Sequence, residues 1–332
     1  MKIVGFGDFL IHFSPIDNQR FVQADLMQMS FTGAEANVCA ALSFWGEDVQ
    51  FVTKVPDHAL AKKGLMFLNS LGVKTEYIPI DNGRMGIYFL ENGYSIRPSS
   101  VIYDRQNTLF SECKYQDYRW DEILKDTRAL YISGITPSLS ENLLQCSKRV
   151  LQEAKSRGIS VFYDVNLRPS ICSIERSRMI FAELCPYITH LIGNEEHLKQ
   201  SLEIKYPSTE NTSRLFEFTK TVQEKTNINN IAVTVRRTPS ANKAIVYASY
   251  YNGTDFAISK EQRLDVVDRV GSGDAFSAGF VYSVLHDFSV KNTIEFSIIS
   301  SALKHTINND INFSTLREIK SIIQSQGCDV IR

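Results

Sequence analysis

The chain alternates between short apolar runs and longer stretches in which apolar residues recur with helical spacing. The apolar runs predict buried strands at residues 1–4, 49–55, 129–133, 161–166, 190–193 and 231–235. The helical stretches predict helices at residues 34–44, 59–71, 140–157, 275–286, 291–307 and 315–324. This order predicts an α/β fold class, a doubly wound and mostly parallel sheet flanked by helices, in one domain over residues 1–332.

Two segments break the alternation, residues 9–32 and approximately 75–120. The second is rich in Tyr, Gly, Asn and Arg and contains β-like runs such as residues 86–90. We expect both segments to form a small β lid that excludes water from a site beyond the main strands. Exposed edges of such a lid favour a homo-oligomer that pairs through it. A separate hairpin is predicted at residues 244–259, turning at Asn252-Gly253.

Composition narrows the class of partner. Lys and Arg total 36 against 37 Asp and Glu, so no net field attracts nucleic acid or an anionic membrane surface. No apolar stretch is long enough to span a membrane, and the N-terminus lacks a signal-peptide pattern. Six cysteines lie scattered without a CxxC pair or metal-ligand spacing, which is typical of free thiols. These features predict a cytoplasmic protein with a small-molecule partner.

The segment at residues 268–279, DRVGSGDAFSAG, carries the strongest chemical signal because it lies just before a predicted helix. The small residues Gly271, Ser272 and Gly273 let backbone N–H groups face outward at the helix N-terminus, which suits a phosphate. Asp274 beside this cradle is a candidate general base for phosphoryl transfer to a hydroxyl. The alternative is that Asp274 only caps the helix.

Two other nucleotide motifs fit poorly. The glycines at residues 5 and 7 are followed by Leu10 where a dinucleotide fingerprint requires a third glycine, and Gly271 and Gly273 are followed by Phe276 at that place. No Gly-Lys-Ser/Thr loop occurs anywhere in the chain. A hydride-transfer enzyme and a P-loop NTPase are therefore disfavoured.

These residues resemble the ribokinase-like, or PfkB, carbohydrate kinases. The run at residues 268–279 is similar to the family's late signature, with Ser272 in place of Ala, and residues 32–40 resemble the early signature, with Thr32 in place of a Gly. Residues 164–169 and 194–196 are similar to family segments that face ATP phosphates and magnesium. The resemblance covers nearly the whole chain. It implies a ribokinase-like fold with a small β lid and ATP-dependent phosphorylation of a sugar.

Within that family the chain looks most like the kinases of 2-keto-3-deoxygluconate. The residues that carry this likeness are at 33–37, 103–105, 268–270 and 302–305. Contacts to a sugar acid are implied for Gly33, Asn37, Tyr88, Tyr103, Arg105, Arg168, Asp274 and Asp310. A carboxylate substrate suits the planar fork of Arg105, whereas a neutral sugar does not need one. The alternative for Arg105 is a lid arginine that pairs with Asp104 or another nearby acid.

The resemblance also implies the nucleotide and metal contacts. ATP contacts fall on Asn166, Asn194, Thr234, Arg236, Gly271 and Gly273, with a loop at residues 237–243 over the adenine. Arg168 is expected to stabilise charge on the transferring phosphoryl group. Glu196 is expected to act on Mg²⁺ through water, the alternative being an acidic pair that opens a helix. A requirement for a monovalent cation stays open.

The sequence thus predicts transfer of phosphate from ATP to 2-keto-3-deoxygluconate with Asp274 as base. One rival is another sugar kinase of the same fold, such as a fructokinase. The other is a non-catalytic sugar-binding protein, which the intact Asp274 and its cradle disfavour. The choice between the gluconate and galactonate epimers depends on the orientation of a single hydroxyl, which the sequence does not settle.

Overall fold

The computed structural model describes residues 1–205 and 212–324, and strands alternate with helices along most of them. The strands are β1 (Lys2–Phe6), β2 (Leu10–Pro15), β3 (Met27–Thr32), β4 (Val49–Val52), β5 (Val55–Pro56), β6 (Ile80–Asp81), β7 (Gly86–Glu91), β8 (Ser100–Asp104), β9 (Thr127–Ser133), β10 (Ser160–Asp164), β11 (His190–Asn194), β12 (Asn230–Ser240), β13 (Lys243–Tyr251), β14 (Phe256–Ile258) and β15 (Gln262–Asp265). The helices are α1 (Ala34–Phe44), α2 (Ala59–Ser70), α3 (Trp120–Ile123), α4 (Ile135–Ser138), α5 (Glu141–Ser156), α6 (Ile174–Leu184), α7 (Glu195–Leu202), α8 (Thr212–Thr226), α9 (Ser272–Leu285), α10 (Val290–Lys304) and α11 (Leu316–Gln324).

The main sheet has the strand order β14-β13-β12-β11-β10-β9-β1-β4, with β15 also paired to β13. The strands from β12 to β4 are parallel, and the pairs formed by β13 are antiparallel. Two apolar clusters cover its faces, one with Ile3 and residues of α1, α9 and α10, the other with Val4 and residues of α5 to α8. The predicted fold class, a mostly parallel sheet flanked by helices, is confirmed.

A second sheet of four strands, the small sheet, has the order β3-β2-β7-β8. Its strands come from both segments that interrupt the alternation, and β2 pairs parallel with β7. The second segment contributes only residues 86–104 to it. The stretch that follows packs on the main body instead, where Phe110 and Tyr118 each lie with ring centroids 5.5 Å from Phe6. The small sheet is therefore shorter at this end than the sequence predicted, because aromatic burial holds residues 105–120 against β1.

Strand β12 is longer than predicted. The expected strand ended at Val235, with a loop over the adenine at residues 237–243; instead β12 continues to Ser240 and pairs with β13 through Ser240 and Lys243. Antiparallel pairing satisfies the backbone groups that a loop would have exposed. The prediction of a loop at residues 237–240 was wrong, because these residues form the end of a strand.

Other local predictions agree closely with the structure. Helix α1 has the predicted bounds, and Thr315 and Glu318 exchange the hydrogen bonds of the predicted capping box before α11. Helix α9 begins at Ser272, one turn earlier than predicted. No helix in the described ranges is long and apolar enough to cross a membrane. The five described cysteines are free thiols, and Cys328 lies outside the described residues.

Candidate active site

Asp274 is the third residue of α9, where that helix packs on α1. Asn37 Nδ2 donates a hydrogen bond of 2.7 Å to Asp274 Oδ2. Gly271 occupies the N-cap position, so Asp274 does not cap the helix. Loss of hydration raises the pKa of Asp274 to about 7, while the hydrogen bond from Asn37 acts in the opposite direction. The carboxylate is therefore held in place and has a proton affinity suited to a general base.

A second carboxylate, Asp164, lies close to the first at the end of β10. Burial raises the pKa of Asp164 to about 6, and the nearby charge of Arg168 acts against that rise. Asp164 Oδ1 accepts the backbone N–H of Asn166 at 3.1 Å, and Asn166 has a left-handed φ of 36°. These contacts hold the loop after β10 in the turn that brings Arg168 towards Asp274, whose pKa its charge lowers.

The N-terminus of α9 forms a tight cradle. Gly271 has a φ of 75°, and a Cβ at this residue would lie 1.8 Å from the backbone oxygen of Asp310. Gly273 is different, because a Cβ there would meet no atom within 4 Å. The first-turn N–H groups of a helix have no partner within the helix, so this end of α9 is open to an anion.

Three arginines lie near this cradle on separate elements. Arg168 follows β10, Arg236 lies within β12, and Arg269 precedes α9. Loss of hydration and then the positive charges of Arg269 and Arg168 lower the pKa of Arg236, which keeps an exposed surface at the end of the parallel strands. Within the described ranges none of the three forms an ion pair with a carboxylate. Positive charges held close together, none of them in a direct ion pair, favour an anionic ligand at this place.

The predicted nucleotide and metal residues lie at the edge of the main sheet where β10, β11 and the parallel part of β12 end. Asn194 pairs in register with Thr234, the last residue of the parallel part of β12. The Asn194 side chain accepts the backbone N–H of Glu196 at 2.9 Å and so caps α7. Glu196 is exposed and accepts a hydrogen bond of 2.7 Å from Gln200. Among the described residues no group of three or more His, Cys, Asp or Glu side chains could hold a metal ion.

The predicted sugar-binding residues of the small sheet form one connected group. Tyr88 donates its hydroxyl proton to Asp310 Oδ1 at 3.0 Å, and its ring centroid lies 5.9 Å from that of Tyr103. Arg105 lies 5.7 Å from the Tyr103 ring centroid and pairs with buried Asp8 at 2.7 Å. The Nε atom of Arg105 is buried and unpartnered within the described structure, which leaves one donor for a further acceptor.

Gly33 completes this wall of the site. A Cβ at Gly33 would lie 2.1 Å from the backbone oxygen of Asp8, so a side chain cannot be accommodated there. These contacts connect the small sheet to α1 and α9 of the main body through one group of predicted site residues: Gly33, Asn37, Tyr88, Tyr103, Arg105, Arg168, Asp274 and Asp310. Glu196 stands apart from this group, because its side chain is engaged with its own helix.

The sequence analysis assigned no role at the site to three residues that the structure places beside it. Asp8 lies within the failed dinucleotide motif of residues 5–10, although an acid two residues after an apolar strand is a usable signal. His12 Nδ1 lies 2.7 Å from Asp310 Oδ2, a contact that the sequence does not indicate. Lys304 is buried, donates to the backbone oxygen of Ile307 at 2.8 Å, and has its pKa lowered by burial.

Glu35 is a further buried carboxyl, on α1 beneath the site. Its Oε1 accepts hydrogen bonds of 2.8 Å from the backbone N–H and hydroxyl of Ser133 and from the hydroxyl of Thr136. Burial nevertheless raises the pKa of Glu35 to about 7. The pKa of Glu35 is higher in the folded protein than in the unfolded chain, so the protonated side chain favours folding. This contribution to the free energy of unfolding is complete below about pH 4.5 and is lost as the pH rises through about 7.

We therefore expect Glu35→Gln to remove part of the pH dependence of unfolding. The free energy of unfolding of the variant, relative to the natural chain, should rise by roughly 3 kcal/mol between pH 4.5 and pH 8. Urea unfolding followed at a series of pH values measures this. Exposed Glu76→Gln is the matched control and should run parallel to the natural chain. An unchanged pH dependence in Glu35→Gln would contradict the raised pKa.

The fold and the arrangement of the candidate site are typical of small-molecule phosphotransferases. The model of the pfkB family carbohydrate kinases matches residues 1–313, and the chain belongs to that family. It is accordingly a sugar kinase.

Three named proteins are similar to this chain over nearly its whole length. A crystal structure of 2-dehydro-3-deoxygluconokinase from Thermotoga maritima is 34% identical, covers 98% of this chain and 100% of its own, and superposes with a TM-score of 0.95. A 2-dehydro-3-deoxygalactonokinase from Haloferax volcanii is 28% identical over 100% of this chain and 99% of its own length. A 5-dehydro-2-deoxygluconokinase from Clostridium botulinum is 24% identical over 98% of this chain and 93% of its own length. The three similar proteins are thus all named as kinases of keto-deoxy sugar acids.

Proposed function

We propose that this protein transfers the γ-phosphate of ATP to the 6-hydroxyl of 2-keto-3-deoxygluconate. The observation that carries the proposal is Asp274, held by Asn37 beside the open N-terminus of α9 with a pKa near 7. The arginine-containing wall of the small sheet supports a substrate that carries a carboxylate. The relative from Thermotoga maritima supports the same substrate.

In this mechanism Asp274 accepts the proton of the sugar hydroxyl as its oxygen bonds to the γ-phosphorus. The bond from that phosphorus to the bridging oxygen breaks, and ADP leaves with the electron pair. The N–H groups at residues 271–273 and the guanidinium of Arg168 stabilise the negative charge on the transferring group. We assign Arg236 and Arg269, with Asn166, Asn194 and Thr234, to the remaining phosphates of the nucleotide.

The described residues fit Mg²⁺ only through water and phosphate oxygens, because they offer no cluster of ligating side chains. When bound, Mg²⁺ would neutralise charge on the nucleotide phosphates. Exposed Glu196 is the side chain that we assign to its water shell. Chelation should abolish turnover, and exchange of potassium for sodium in the same assay tests a monovalent-cation requirement.

An ADP-release assay over about a dozen sugars and sugar acids tests the proposed function directly. We expect rapid turnover with 2-keto-3-deoxygluconate and only slow turnover with fructose or ribose. The galactonate epimer is the second candidate substrate, favoured by the full-length similarity to the Haloferax volcanii protein. Preference for a neutral sugar would favour a fructokinase-like enzyme, and no turnover with the panel would favour a sugar-binding protein.

Two glycine variants separate folding from catalysis. Gly271→Ala should lower the free energy of unfolding by roughly 2 kcal/mol or more, because its Cβ would overlap the Asp310 backbone. Gly273→Ala should leave stability unchanged or raise it by up to about 1 kcal/mol, because its Cβ meets no atom. In our proposal that open space holds a phosphate, so Gly273→Ala should still lose turnover. Urea unfolding and the ADP assay measure the two effects, and full activity in Gly273→Ala would contradict the assignment.

The pH profile of kcat/KM should fall on the acid side with a midpoint near pH 7. A general base must be ionised, and burial raises the pKa of Asp274 to about 7, so protonation removes activity as the pH drops below that value. Initial rates at low sugar concentration between pH 5 and pH 9 measure the profile. A rate that stays constant down to about pH 5 would contradict this role.

We also propose that the protein works in the cytoplasm and pairs through the small sheet. Its outer face carries Phe13 and Phe89, whose rings stack at 5.7 Å, and the exposed apolar side chains of Met27 and Ile102. A second copy of this chain would cover these residues. Light scattering should give a dimer or larger assembly for the natural chain, and Ile102→Lys should shift it to a monomer. A monomeric natural chain would contradict this proposal.

A further inference from the structure

Asp310 joins the main body to the small sheet. It lies in the loop after α10 and is buried, with 3% of its surface exposed. Each of its carboxylate oxygens contacts one side chain of the small sheet, Tyr88 at Oδ1 and His12 at Oδ2. Its backbone oxygen faces Gly271 of the cradle. Two side chains of the small sheet therefore determine the orientation of this carboxylate.

His12 is the more constrained of those two side chains. It lies on β2 directly beside Tyr88 of β7, it is 1% exposed, and its ring stacks on that of Tyr88 with centroids 4.3 Å apart. Its Nδ1 lies 2.7 Å from Asp310 Oδ2 and 3.2 Å from the hydroxyl of Ser30. Its Nε2 is buried and has no partner within the described structure.

The surroundings of His12 favour one tautomer of its imidazole ring. A carboxylate only accepts hydrogen bonds, so the short contact requires a proton on Nδ1. A second proton on Nε2 would be a buried donor without an acceptor, which is costly. The neutral ring with its proton on Nδ1 satisfies the contact to Asp310 and leaves only a lone pair unpartnered at Nε2.

We propose that His12 is a positioning residue that fixes the Asp310 carboxylate for recognition of the sugar hydroxyls. The inference rests on the proposed function, since Asp310 is assigned there to the sugar. With Oδ2 held by His12 and Oδ1 by Tyr88, the remaining lone pairs of Asp310 point in fixed directions. Without His12 the carboxylate loses one of two restraints, and the sugar would have to order it on binding.

Two substitutions separate the hydrogen bond from the packing. His12→Asn places an amide N–H where Nδ1 was and keeps the donor, whereas His12→Phe keeps a ring to stack on Tyr88 and removes the donor. We expect His12→Phe to raise the KM for the sugar acid about tenfold or more, with kcat and the KM for ATP within about threefold of the natural values. His12→Asn should restore the KM to within about threefold of the natural value. His58→Asn, at the exposed N-cap of α2, is the matched control and should change nothing.

If His12→Phe fails to fold, a measurement that does not depend on catalysis still tests the inference. Nitrogen-15 NMR of histidine-labelled natural protein, with His12 assigned from the His12→Asn spectrum, should show the proton on Nδ1, and Asp310→Asn should shift this signal. A proton on Nε2 overturns the inference. So does an unchanged sugar KM in a folded His12→Phe variant, or a loss in His12→Asn equal to that in His12→Phe. Absence of turnover in the natural chain instead overturns the proposed function, and the sugar-binding part of this inference with it.

Discussion

Asp274→Asn is expected to lower kcat by roughly 10²–10⁴-fold while both substrates still bind. The amide is nearly isosteric with the carboxylate and cannot take the hydroxyl proton, so only positioning and charge stabilisation would remain. Because Asn37 Nδ2 donates to this residue, the variant can still accept that bond through its carbonyl oxygen and keep the packing between α1 and α9. Initial rates of ADP release, with calorimetry for binding of the sugar acid, measure the two effects.

The control lies at the other end of the same helix. Asp287 is exposed, and its left-handed φ of 53° is one that Asn also adopts readily. Asp287→Asn should retain the natural rate. Turnover in Asp274→Asn within about tenfold of the natural chain would remove the proposed mechanism, because a positioned general base contributes more than that.

Arg105→Ala should lower kcat/KM for the sugar acid by roughly 10–100-fold and spare any slow turnover of a neutral sugar. The guanidinium is buried and offers donors beyond the one that Asp8 accepts, which suits a second carboxylate. Removing it also leaves Asp8 as a buried charge without its partner, which is destabilising. The double variant Arg105→Ala with Asp8→Asn removes that charge, so the loss of selectivity can be measured on a folded protein.

Arg84 provides the matched control for Arg105. It also lies beside β8, but it is exposed and pairs with Asp104 at 2.6 Å. Exposed pairs contribute little, so Arg84→Ala should leave both activity and selectivity nearly unchanged. If the Arg105 variants lost equal factors of kcat/KM for neutral and acidic sugars, Arg105 would support the structure of the site without binding a carboxylate.

Much of the main body follows from local sequence patterns. The nearly uninterrupted run of small and apolar residues at 34–44 predicts α1, and Gly46, with a left-handed φ of 91°, marks its C-terminal end. The glycines around Ser272 and the acid that follows them locate the cradle and the candidate base before any packing is known. These features depend on neighbours only a few residues apart, which is the range over which a single sequence is informative.

The missed features depend on pairing with another segment of the chain, distant for His12 and Asp8 and adjacent for β12. His12 faces Tyr88 only because β2 and β7 pair in parallel, a register that neither strand encodes alone. The continuation of β12 to Ser240 depends on β13 as a partner, and residues 237–240 carry no apolar run that would predict a strand. Asp8, which follows β1, and Arg105, which follows β8, meet although they are 97 residues apart in the chain. Such pairings arise from tertiary packing, which overrides local propensity.

The contributors to the site come from positions as early as Asp8 and as late as Asp310. Catalysis therefore reports on completion of nearly the entire tertiary structure, since these long-range contacts form only once distant segments have closed. Tryptophan fluorescence reports on smaller parts of the structure. Trp120 packs in a cluster with Phe6, whereas Trp45 donates a hydrogen bond to the backbone oxygen of Ser314. In a refolding time course the Trp120 signal should thus return before enzymatic activity does, and the lag between them times the last docking step.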